Sequence, residues 1–224
     1  MLGLWLLTRR AAQSPASNGE GWAALAVWAM ALNPAIIKMY SFATSQVLIF
    51  FWLVWALVLV TGEDRQLWQI VLGAAATGVM MLTRINLAPA VALILGYVFW
   101  QHGRRAGLWA AAAALAMIAG LHAIFWPGIL RIWAYWLPDS LSPFLNPWRQ
   151  PDEARFWDPS LAFASRVLSF LHGIRFHFTA AAGVLGLGVV WPRRRDWASD
   201  AQFRLCALLV SLFGALALAH IAAS

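Results

Sequence analysis

The sequence predicts an all-α fold, a polytopic transmembrane helical bundle of about seven spans with one long extracytoplasmic loop. Three observations carry this expectation. Of the 224 residues, 62% are hydrophobic and only 11% are charged, far from the balance of a soluble domain. Apolar runs near bilayer length follow one another, and about 20 apolar residues cross a hydrocarbon core as a helix. Short charged turns separate these runs, at 9–10, 62–65, 102–105 and 191–196. The net charge of +7 does not indicate a nucleic-acid partner, because the basic residues stand at the ends of apolar runs rather than on one polar face.

The opening residues 1–7 are apolar, but Arg9 and Arg10 follow them, whereas a signal peptide carries its basic region in front. Too short to span, this segment reads as the tail of a helix, and the chain is expected to be a piece of a larger protein. A polar linker is expected over 9–20. From 21 to 61 the one charge is Lys38, and a single helix through those residues would be roughly 60 Å long, about twice the hydrocarbon core. The chain must therefore turn back near Lys38, Tyr40, Ser41, Thr44, Ser45 and Gln46, with Asn33-Pro34 loosening the first helix. Helices are expected near 22–37 and 46–61.

The charged turn at 62–65 comes next, and the same length argument divides 66–101 into helices near 67–82 and 87–101, with Pro89 in the first turn of the second. A basic turn at 102–105 leads into an alanine-rich helix near 108–126, whose small residues suit close packing in lipid. Residues 127–173 carry many prolines, four acids and Trp133, Trp136, Trp148 and Trp157, as expected of a structured outer loop. Two further spans are expected near 174–191 and 203–221. The whole is one transmembrane domain, 1–224. The single cysteine, Cys206, admits no intrachain disulfide.

Arg9/Arg10, Arg65, Arg104/Arg105 and Arg193–Arg195 fall on one side of this hairpin pattern, and the positive-inside rule makes that side cytoplasmic. Arg84 follows Arg65 by 19 residues, about 28 Å along a helix, which sends it to the opposite face. A lone charge between long apolar runs is a site candidate by default. Arg84 with Lys38 forms a basic pair suited to a phosphate, and Gln46 and Tyr40 stand in the same outer turn, within reach of a ligand hydroxyl. The plainer readings are that Arg84 and Lys38 anchor helix ends to headgroups and that the turn's polar groups join helices.

Asp139, Asp152, Glu153 and Asp158 are the acids on the outer side and so the candidates there for a general base, but a solvated loop face explains them better. The loop tryptophans fit sugar stacking, but a membrane-interface belt fits them better. His172 and His177 are five residues apart, off a common helix face, and there is no HExxH motif. No metal-ligand motif is seen, no cofactor is identified, and a divalent metal is left open. There is no P-loop, dinucleotide fingerprint or GxSxG elbow.

A basic turn, a helix ending in Asn33-Pro34, an outer turn with Tyr40 running into Ala43-Thr44-Ser45-Gln46, then Leu72-Gly73, Gly78 and Leu82-Thr83-Arg84 occur in that order. The arrangement resembles the middle of polytopic GT-C glycosyltransferases, the superfamily that includes protein O-mannosyltransferases and the aminoarabinose transferases of lipid A. Gly73, Gly78, Leu82, Thr83 and Arg84 match its Gly-x(4)-Gly-x(3)-Leu-Thr-Arg/Lys pattern. The resemblance is closest over about 4–100. It implies a multi-pass protein of a bacterial inner (plasma) membrane that moves a sugar from a polyprenyl-phosphate carrier to a lipid, glycan or protein acceptor on the outer face. It places the catalytic acid in a first outer loop that would precede Met1, and gives Arg84 a place near the carrier phosphate. Gln46 departs from the family's frequent Glu, against an acid role there. The competing readings are a small transporter or flippase-like subunit with Arg84 lining its path, and a non-catalytic membrane scaffold.

Overall fold

A computed structural model of the protein describes residues 1–11, 19–32, 45–83, 87–129 and 201–223. Six helices and no strand are found among them: α1 (Leu2–Ala11), α2 (Gly19–Ala31), α3 (Ser45–Val60), α4 (Leu67–Thr83), α5 (Ala88–Ile124) and α6 (Ala201–Ala223). One of them, α5, is long and apolar enough to cross a membrane by length and composition.

The short polar linker is more helical than its composition predicts. Instead of ending before Arg9, α1 continues through Arg9 and Arg10 to Ala11, and α2 already begins at Gly19. Arginine is a good helix former and is favoured by the dipole in a last turn, and Glu20 stands in the first turn of α2, where a negative charge is equally favoured. Arg9 Nη2 and Glu20 Oε1 lie 3.6 Å apart across the link, an exposed pair that is worth little in stability.

Helices α3 and α4 pack as a hairpin about the turn at Gly62–Gln66, where Gly62 has φ 120°. They pack tightly at Gly73, where a Cβ would lie 2.7 Å from Val60 Cγ1, 3.0 Å from Leu59 Cβ and 3.1 Å from the Ala56 carbonyl oxygen. A side chain there would displace Val60 and crowd the Ala56 backbone.

The sequence expectation of two helices separated by 102–107 is met by a sharper device. α5 is helical on both sides of one residue, Gly103, with φ 80° and ψ 175°, a conformation essentially confined to glycine. His102 stands beside Val60, its Nε2 2.7 Å from that carbonyl oxygen. Ala114 and Met117 meet Gly78, about 16 Å along α4 from its start. The second arm of α5 therefore runs back beside α4. The Phe99 ring lies directly against Gly107, and the pair closes the two arms on each other. Pro89 occupies the first turn of α5, where its missing N–H costs nothing.

A continuous core joins α1, α3, α4, α5 and α6, with Ile70, Met80, Ile94, Val60 and Val98 at its centre. The buried hydroxyls bond back to adjacent helical carbonyls: Thr61 Oγ1, just after α3, donates to the Leu57 carbonyl at 2.7 Å, and Thr77 Oγ1 to that of Ala74 at 2.7 Å. Helices α2, α4 and α5 carry large apolar side chains on their outer faces too, among them Trp22, Trp28, Leu72, Trp109 and Leu115, whereas a water-facing helix confines such residues to one stripe.

Candidate functional site

The bundle has two chemically distinct ends. At the first, the C-terminus of α3 leaves carbonyl oxygens without helical partners, as every helix end does, and side chains from three other segments supply their hydrogen bonds. Arg10, at the end of α1, donates through Nη1 to the Val58 carbonyl and, at 3.2 Å, to that of Thr61. Arg65 Nε donates to the same Thr61 carbonyl at 2.7 Å, and its guanidinium lies over Gly62. His102 takes the Val60 carbonyl.

Tyr97 is buried beside this group, edge-on to the His102 ring at a centroid distance of 6.2 Å. It lies within electrostatic reach of Arg10, Arg65 and Arg204 and shares a hydrogen bond with the Gly62 backbone. Arg204, in the first turn of α6, donates to Gln101 Oε1 at 3.0 Å and lies over the Trp100 ring. Arg10 stands beyond the apolar residues of α1. Burial, and second the charge of Arg65, hold its guanidinium below the ordinary arginine value. The basic turns that the sequence assigns to one side, 9–10, 62–65 and 102–105, do meet at one end of the bundle.

The second end carries the residues that the sequence singles out. Arg84, Lys38 and Tyr40 lie outside the described residues. Gln46 is in the first turn of α3, and Arg84 follows Thr83, the last residue of α4. Because α3 and α4 form a hairpin closed at Gly62–Gln66, the start of α3 and the end of α4 share the end remote from the arginine cluster. Thr83 Oγ1 donates back to the Met80 carbonyl, so its hydroxyl serves the final turn of α4. The outer loop's acids and tryptophans also lie outside the described residues, as do His172 and His177.

The sequence reading missed two residues of the first end. Arg204 lies within the apolar span expected near 203–221, and a single arginine one residue inside that run is the signal that marks it. Tyr97 carried no such signal, since a tyrosine in an apolar helix is ordinary until its neighbours are known. Among the described residues, no group of three or more His, Cys, Asp or Glu side chains is placed to hold a metal ion.

No protein-family model, curated protein or solved structure matches the chain. The described residues define a helical fold without a strand, with one candidate membrane span.

Proposed function

We propose that the chain belongs to a multi-pass membrane glycosyltransferase of the GT-C type, with about seven spans and an outer loop over 127–173. In this reading it lies in a bacterial inner membrane and moves a sugar from a polyprenyl-phosphate donor to a lipid, glycan or protein acceptor on the outer face. The observation that carries the reading is the run Gly73, Gly78, Leu82, Thr83, Arg84 behind the outer-turn residues Tyr40 and Ala43–Gln46. The hairpin of α3 and α4 supports it, because the helix ends next to Gln46 and Arg84 lie at one end of the bundle. Arg84 and Lys38 grip the carrier phosphate by charge-assisted hydrogen bonds, while Tyr40 and Gln46 offer hydrogen bonds to ligand hydroxyls.

The test is transfer of labelled sugar, by the intact protein in liposomes, from a panel of polyprenyl-phosphate-linked sugars. Covalent transfer is expected for at least one donor. Arg84→Ala should raise the KM for that donor about tenfold or more, the effect of losing a hydrogen bond to a charged group, or abolish transfer. Wild-type kinetics at normal expression would reduce Arg84 to an anchor. Movement of solute or lipid across the bilayer without covalent transfer would favour the transporter reading.

A further inference from the structure

The arginine cluster at the first end is more than a helix cap. Arg10 and Arg65 both donate to the Thr61 carbonyl oxygen, so two full positive charges are held side by side. The C-terminus of α3 offsets only about half an elementary charge. The nearest acids in sequence, Glu63 and Asp64, are exposed. Among the described residues the one ion pair is Arg9 with Glu20, which involves neither Arg10 nor Arg65. Each guanidinium has five N–H donors. Arg10 spends Nη1, and Arg65 spends Nε, on the helix end, and among the described residues no further hydrogen bond of these two partly exposed side chains is found. Like charges brought together in this way at the end of an apolar bundle form a site for a counter-anion.

The surroundings point to a lipid. Trp68, in the first turn of α4, and Trp100, beside Arg204, are exposed, and Arg9 lies over the Trp5 ring at 5.1 Å. Three tryptophans therefore stand at or beside arginines at this end, and tryptophan is the residue of the headgroup layer. Basic pockets between helices on the cytoplasmic side suit anionic headgroups. We propose that Arg10 and Arg65 bind the phosphate of an anionic phospholipid headgroup, such as that of phosphatidylglycerol, at the end of the bundle opposite Arg84. The phosphate oxygens take the unspent N–H groups of the two guanidiniums, and the acyl chains lie along the apolar outer face. This site is independent of the transferase reading.

The test is a lipid competition on the intact protein in detergent, with phosphatidylglycerol against phosphatidylcholine. Retention is read by native mass spectrometry and stabilisation by the rise in Tm. The wild type should retain phosphatidylglycerol preferentially. Arg10→Lys, in α1, and Arg65→Lys, in the turn before α4, keep the charge but lose the fork, and each should weaken that preference about tenfold at unchanged helical content. Equal retention of the two lipids by the wild type would overturn the proposal without recourse to any variant. So would an undiminished preference in the Arg10→Lys/Arg65→Lys protein. A rise in Tm with inorganic phosphate as large as that with phosphatidylglycerol would overturn the lipid assignment in favour of a free anion.

Discussion

Gly73 and Gly78 stand in the same motif as Arg84, yet their claims on function differ. Both glycines are accounted for by packing. A Cβ at Gly78 would come within 3.0 Å of the Ala114 carbonyl oxygen and of Met117 Cβ, and since backbone does not yield cheaply, Gly78→Val should destabilise by about 1–3 kcal/mol. Denaturant unfolding in micelles measures it, and a neutral result would mean that α4 and the second arm of α5 are not in close contact. Gly103 is a different case. A Cβ there meets nothing within 4 Å, so the cost of Gly103→Ala is confined to the backbone, about 1–3 kcal/mol. Gly103→Asn should be no milder, because ψ 175° lies outside the left-handed helical region that asparagine tolerates. Arg84 lies outside the described residues, and its charge is the part of the run on which the proposed function rests.

At the scale of elements, charge spacing and helix length were the legible quantities. Residues 62–65 announced the α3–α4 turn through a glycine and three charges in a row, and α3 and α4 begin and end within one residue of 46–61 and 67–82. The helices were less legible at their polar ends. Composition made 9–20 a linker, but Arg9, Arg10 and Glu20 are compatible with helix and favoured near its termini. The gap expected over 102–107 likewise narrowed to Gly103, because a single residue of positive φ redirects a helix that polar residues need not interrupt. What the sequence could not supply was the cross-element capping of α3, since Arg10 and His102 are far in sequence from the carbonyls they serve. Val60 is fully buried, so His102→Leu should leave its carbonyl oxygen short of a partner and cost about 1–3 kcal/mol. Thermal unfolding in detergent checks this, and an unchanged Tm would show that the His102 contact contributes nothing to α3.

For the whole molecule, the two ends matter more than any single helix. One gathers Arg10, Arg65, His102 and Arg204 around the C-terminus of α3; the other receives the start of α3 and the end of α4, next to Gln46 and Arg84. Helix lengths made this separation legible from Arg65 and Arg84 alone. The chemistry at the second end was legible only as far as residue types reach, because Lys38, Tyr40 and Arg84 lie outside the described residues and no spacing rule sets their mutual placement. The proposed grip on a carrier phosphate at the outer face requires that α4 cross the membrane. Cysteine labelling in intact cells tests that requirement most directly, in a Cys206→Ser background that removes the single native thiol. With a membrane-impermeant maleimide, Asn86→Cys should react in intact cells and Asp64→Cys only after permeabilisation; labelling of both from the same side would contradict the account.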